Sequence, residues 1–223
     1  MKRVNLIPAL IIVLVLSGFR ADQALTSEQI WNKYLDSFGK REVVKNVKSF
    51  ASTNVVETER GQILTNIKIK APDKVLMEVF YPGGAKFTYV LNGNIGRMKS
   101  QMGIQDIPES SLKSIQNMGL IFPELYYENI VYKGEEHFDN KAYYNFEVQY
   151  NGSKMNYLID TKEFTTFRIV SDDAYMEVLE TVVVDGVRLI QSSKTIQVGQ
   201  SFVAKYYNFE INTEMPDSLF ELF

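Results

Sequence analysis

The chain has 223 residues, 45% hydrophobic and 13% aromatic, enough to bury one sizeable core and in the size range of a single β-rich domain. Its 24 basic and 27 acidic side chains leave a net charge of −3, with the lysines set singly among apolar residues, which excludes the basic footprint of a nucleic-acid binder. Cysteine is absent, which excludes a disulfide framework and the acylated cysteine of a lipoprotein.

Lys2 and Arg3 precede an apolar run at 6–16, broken by Pro8 alone, and the small residues Ser17, Gly18, Ala21 and Ala24 follow. This is the pattern of a secretory signal over 1–24. A run of about eleven residues is short for a membrane span. Cleavage after Ala24 removes Lys2, Arg3, Arg20 and Asp22, leaving 21 basic against 26 acidic side chains and a charge of −5. The expectation is one domain over 25–223, monomeric and soluble outside the cytoplasm.

Thr26 followed by Gln29 fits a capping box, and Ile30, Trp31, Tyr34, Leu35 and Phe38 recur at helical spacing until Gly39 stops the helix. From about Val47 the period changes to two. Ile63, Thr65, Ile67 and Ile69 alternate with Leu64, Asn66, Lys68 and Lys70 up to the breaker Ala71-Pro72-Asp73. Val75, Met77 and Val79 continue the alternation, Pro82-Gly83-Gly84 turns the chain, Phe87, Tyr89 and Leu91 follow, and Asn92-Gly93-Asn94 turns it again. Residues 108–120 open with proline and acid and carry Leu112, Ile115 and Met118 at spacings of three, which predicts one short helix. Strands are then predicted at 130–133, 142–151, 154–160, 164–170, 175–184, 187–198 and 201–211, with turns including Asn151-Gly152 and Asp185-Gly186. The fold class is mainly β with two short helical segments: about eleven strands in one large antiparallel sheet, curled or closed.

The supply of catalytic groups is thin. His137 is the single histidine, in "KGEEHFDN", where it reads as an exposed loop residue; Glu135 and Glu136 beside it make a weak metal set at best. Asp172-Asp173 reads as a turn. Asn151-Gly152-Ser153 matches a glycosylation acceptor, though a hairpin turn explains it fully. Gly83-Gly84 has no helix after it to cradle a phosphate. No cofactor or metal is called for, and an enzyme is the last of the readings.

Apolar surface, by contrast, is plentiful. In "AYYNFEVQYNGSKMNYLID" (142–160) one side carries Ala142, Tyr144, Phe146, Val148 and Tyr150 opposite Met155, Tyr157 and Ile159, while Tyr143, Asn145, Glu147 and Gln149 face the other way. Two readings stay open at this point: an ordinary packed core, or a curled sheet that two helices cover only loosely, leaving a cavity.

The stretch "GQILTNIKIKAPDKVLMEVFYPGGAKFTYVLNGN" resembles the periplasmic lipoprotein carriers, the LolA-like or outer-membrane lipoprotein-sorting proteins. The shared pattern is a glycine (Gly61), an alternating strand, a basic residue ahead of a proline (Lys70, Pro72), an apolar strand ending at a second proline (Pro82), and a strand closing on Asn92-Gly93. The resemblance extends over nearly the whole chain after the signal. It implies an open, unclosed half-barrel whose concave side is covered by helices and holds the acyl chains of a lipoprotein, or another lipid, in the periplasm. It also implies an inner-membrane complex that loads the carrier and an outer-membrane acceptor. In such carriers an arginine just before the first proline latches the lid; here Ala71 stands there, and Lys70 should face the other way. "IGRMKS" lacks the aromatics usual in the family, which marks a divergent relative.

On this reading acyl chains leave water for a cavity lined by Ile67, Ile69, Val75, Met77, Val79, Phe87, Tyr89, Tyr144, Phe146 and Tyr157, beneath a lid carrying Leu112, Ile115 and Met118. A methylene is worth about 0.8 kcal/mol on burial, so a chain of about sixteen carbons gains roughly 12 kcal/mol before costs. A charged residue at Phe146 or Met77 is then expected to weaken acyl binding more than folding. The alternatives are a lipid- or envelope-sensing regulator on the same fold and a structural periplasmic protein whose concavity is packed.

Overall fold

A computed structural model describes residues 24–150, 153–171 and 174–223. The expected signal at 1–24 lies, but for its last residue, outside the described residues, as do Asn151-Gly152 and Asp172-Asp173. The first elements are α1 (Ser27–Ser37) and a short α2 (Arg41–Lys45). The capping box is formed: Gln29 N–H donates to Thr26 Oγ1 at 3.2 Å and Thr26 N–H to Gln29 Oε1 at 2.9 Å.

Strands β1 (Ser49–Thr58), β2 (Gly61–Lys70), β3 (Lys74–Phe80), β4 (Lys86–Asn92), β5 (Ile95–Ser100) and β6 (Gly103–Asp106) form an antiparallel meander. Helix α3 (Glu109–Met118) and a 3₁₀ turn (Pro123–Tyr126) follow. A second meander runs through β7 (Val131–Phe138), β8 (Lys141–Tyr150), β9 (Ser153–Asp160), β10 (Thr166–Val170), β11 (Ala174–Val184), β12 (Val187–Gln197) and β13 (Gln200–Ile211). Pairing of β1 with β13 joins the two meanders into one sheet of 13 strands in the order β6-β5-β4-β3-β2-β1-β13-β12-β11-β10-β9-β8-β7, open at β6 and β7. This is the expected open, curled, mainly β fold, with 13 strands among the described residues where about eleven were predicted and three α-helices where two were. No helix among the described residues is long and apolar enough to cross a membrane.

The differences have local causes. β6 and β7 are the sheet edges, each paired on one side alone, and their polar residues break the apolar alternation that the inner strands show. All four residues of β6 are exposed. β7 runs on through Lys133, Glu135 and Glu136 to Phe138, which puts His137 on a strand and not in the predicted loop; it is exposed there. Elsewhere the turn chemistry holds: Asp185 and Gly186 have φ of 49° and 80°, as a two-residue turn joining β11 to β12 requires.

Register fixes the faces. One row crosses the sheet through Phe50, Ile69, Val75, Leu91 and Gly96, and a second through Ser52, Ile67, Met77, Tyr89 and Met98. In the other half Phe146 stands opposite Tyr157, and Tyr157 opposite Ile169. These rows form the concave, helix-covered face. Lys70 lies on the opposite face, as the period of two requires. There its Nζ donates to the Met215 carbonyl at 3.0 Å and to Asp217 Oδ1 at 2.6 Å, with Lys74 Nζ 3.0 Å from the same carboxylate. These bonds strap the C-terminal tail over Ala51 and Val90, where Met215 and Phe220 are buried. The hydrogen bond from Lys70, and then that from Lys74, holds the Asp217 carboxyl below its ordinary range. The strap is therefore present at neutral pH and fades in acid as that carboxyl takes its proton. Lys70→Met is expected to speed amide exchange at 215–220 while leaving the global unfolding midpoint and acyl-probe binding nearly unchanged; exchange mass spectrometry beside a probe titration checks it.

Candidate functional site

Two helices cover the two halves of the concave face. Over the β8–β9 half, α1 lays Ile30, Trp31, Tyr34 and Leu35 on Phe146, Val148, Tyr157 and Ile159. The Trp31 ring is 5.2 Å from Phe146 and 4.9 Å from Tyr34, within the range of favourable tilted pairs. Over the β3–β5 half, α3 packs Ile115 and Leu112 on Ile69, Val75, Leu91 and Ile107. Gly96 makes that approach close, since a Cβ there would lie 2.7 Å from Leu112 Cδ1. At the far end of α3, Gly119 sits against the Pro72 carbonyl, 2.5 Å from where a Cβ would be.

Between the covered halves, in the middle of the sheet, is a cavity of about 500 Å³. Its floor comes from Phe50 and Ser52 of β1, Ile67 and Ile69 of β2, Leu189 and Ile190 of β12, and Tyr206 and Phe209 of β13; Phe38 and the chain from Asn117 to Glu124 close the rest. The wall is mainly apolar, with Glu124 and Arg188 as its charged side chains. Glu124 belongs to a polar knot driven into the α1 core. The Tyr157 hydroxyl donates to Glu124 Oε1 at a long 3.5 Å and shares a 2.7 Å bond with the Tyr127 hydroxyl. The Tyr34 hydroxyl is 3.0 Å from Thr166 Oγ1. Glu124 keeps some surface open to the cavity but lies deep among protein atoms, and burial pushes its carboxyl up to about 7; no cation opposes that shift. Burial, with Glu124 nearby, likewise raises the phenols of Tyr34, Tyr127 and Tyr157.

The predicted lining residues separate into three groups. Ile67, Ile69 and Met118 border the cavity. Val75 and Ile115 are buried in the cluster beneath α3, with Leu112 and Tyr89 packed against it, while Met77, Val79 and Phe87 continue the concave rows toward the Pro82 turn. Tyr144, Phe146 and Tyr157 lie in the α1 cluster; Phe146 is 1% and Tyr157 2% exposed, so the helix covers the rings of that hairpin. Sequence reasoning missed Phe38, Glu124, Arg188, Leu189, Tyr206 and Phe209. Phe50 and Ser52 carried a usable signal, being on the same strand face two residues apart.

Ala71, where the family resemblance places a latch arginine, instead borders a second cavity of about 220 Å³ with Pro72, Leu120, Ile121 and Phe122. Among the described residues no three His, Asp or Glu side chains come together as a metal site.

No family model matches the chain, and no curated protein matches it. Solved structures do. A LolA superfamily protein from Nitrosomonas europaea superposes with a TM-score of 0.61 at 12% identity, over 89% of this chain and 99% of that one. A DUF1329 family protein from Desulfovibrio piger gives 0.60 at 14% identity, over 87% and 96%. An outer membrane lipoprotein-sorting protein domain from Vibrio parahaemolyticus gives 0.56 at 10% identity, over 85% and 97%. Agreement over nearly the full length of all three partners, with the open curled sheet and its helical cover, establishes that this chain has the LolA-like fold.

Proposed function

We propose that the protein is a periplasmic carrier that takes acyl chains of lipoproteins, or of another lipid, into the cavity at the middle of its sheet and passes them toward the outer membrane. The observation that carries this reading is the cavity itself: about 500 Å³ of mainly apolar space, roofed by the end of α3 and the 3₁₀ turn and not by strands. A strand roof could open only by breaking a ladder, whereas a roof of one short helix and a turn can be displaced as a unit. The secretory pattern at 1–24 supports export, and likeness in fold to the Vibrio parahaemolyticus lipoprotein-sorting domain supports the cargo class. Loading by an inner-membrane complex and delivery to an outer-membrane acceptor belong to the same proposal.

Native mass spectrometry of freshly extracted protein, with titration of a fluorescent acyl probe, is the direct test. Bound lipid and saturable probe binding are expected. Ile67→Glu puts a charge into the apolar wall and is expected to weaken the probe at least about tenfold, because an ionised carboxylate cannot leave water cheaply. The unfolding midpoint should move much less, since Ile67 is only half-buried. Absence of lipid and of probe binding, or loss of binding in strict proportion to stability, would defeat the proposal.

A further inference from the structure

The cavity has a cation in its wall. β12 and β13 pair only from Ser192–Lys205 to Gln197–Gln200. Before that point β12 pairs with β11, and after it β13 pairs with β1, so the two strands part like a fork. Arg188 and Leu189 on one arm and Tyr206 and Phe209 on the other line the cavity. Arg188 is fixed there: its N–H donates to the Phe38 carbonyl at 2.7 Å, its Nε to the Ser37 carbonyl at 3.0 Å, and its Nη1 to Thr181 Oγ1 at 3.1 Å.

All three acceptors are neutral. Among the described residues no carboxylate is within 4.0 Å of the guanidinium, and its Nη2 has no protein acceptor. Glu124, the acid in the same wall, neither pairs with Arg188 nor has its titration shifted by it, so the two charged groups act separately. An uncompensated cation beside apolar surface is costly to keep and is relieved by an anion, and the planar fork of arginine matches a carboxylate or phosphate. Volume limits what accompanies that anion. Benzene occupies an apolar cavity of about 150 Å³, roughly 25 Å³ per carbon, so about 500 Å³ holds on the order of twenty carbons, one chain and not three.

We infer that the site takes a single-chain amphiphile with an anionic headgroup, the carboxylate of a fatty acid or the phosphate of a lysolipid, docked on Arg188 with its chain against Leu189, Ile67 and Phe209. This inference rests on the acyl-binding reading above and specifies its ligand.

The test compares three ligands of equal chain length, dodecanoate, dodecyl phosphate and dodecanol, by displacement of the neutral dye Nile red at neutral pH. At least one of the two anions is expected to bind about tenfold or more tighter than the alcohol, and the tighter of them identifies the headgroup source. Arg188→Met should erase that advantage, so that on the variant both anions bind no tighter than dodecanol does, and Arg188→Lys should keep part of it. Equal binding of all three by the wild type overturns the inference and leaves the acyl-binding reading standing; displacement by none of them overturns both. Because Arg188 also holds the turn after α1, the wild-type comparison decides the question even if Arg188→Met fails to fold.

Discussion

Phe146→Ala is expected to lower the free energy of unfolding by about 3–5 kcal/mol, the range for truncating a buried ring, and to leave the acyl-probe affinity of the folded fraction unchanged. The ring is 1% exposed, 5.2 Å from Trp31 and 5.1 Å from Tyr132, and directly opposite Tyr157 across the β8–β9 ladder. It supplies the surface on which α1 sits. That helix meets the sheet through side chains, with the Gly39–Val187 bridge and the Arg188 bond to the Phe38 carbonyl just beyond its C-terminus. Removing the ring leaves a cavity under Trp31 that β8 and β9 cannot collapse to fill, because both are held in register along their length. Urea titration gives the stability change and a probe titration at low urea gives the affinity. A folded variant with wild-type stability and weakened probe binding would return Phe146 to the binding wall. The contrast with Ile67→Glu separates the α1-covered half of the concave face from the middle of the sheet: one is core, and the other borders space.

The sheet was legible because its alternation is local. The register of 142–160 follows from the period of two and one turn, and the faces of β2, β3 and β4 follow in the same way. The edges were less legible, since Lys133, Gly134, Glu135, Glu136 and His137 separate Tyr132 from Phe138 with no apolar residue between them to mark a strand. The cavity was least legible, because it is made by long-range events. Arg188 stands two residues past the Asp185-Gly186 turn, next to Leu189, and period-two reasoning sends the pair to opposite faces. The parting of β12 from β13 brings both to one cavity, and that parting depends on β13 leaving β12 for β1, which no local pattern encodes. Glu124 did leave a trace. In "LIFPELYY" it is the one charged residue among apolar and aromatic neighbours, an acid that must either be exposed on a turn or be buried at a cost. The proline before it fixes the turn that carries it inward.

That cost sets the last prediction. The Glu124 carboxyl rises from 4.5 to about 7 on folding, chiefly by desolvation, with a hydrogen bond from its own backbone and then the weak Tyr157 hydrogen bond opposing. An acid whose folded value is raised favours the folded state while it is protonated. Its contribution is complete below 4.5, declines as the unfolded chain ionises first, and is gone once pH passes about 7. At 1.36 kcal/mol per unit the interval amounts to about 3 kcal/mol lost between acid and mildly alkaline solution. Tyr34, Tyr127 and Tyr157 surround the carboxyl and remain neutral throughout this range, their phenols being raised by burial, so they neither offset the loss nor add to it. Glu124→Gln keeps the shape and an acceptor for Tyr157 but cannot ionise. It is expected to match the wild type at about pH 4 and to exceed it by up to about 3 kcal/mol at about pH 8, read from urea midpoints at the two values. Parallel pH profiles for the two proteins would mean that the carboxyl reaches water in the folded state. Since the same turn closes the cavity, they would also mean that the roof stands open at Glu124.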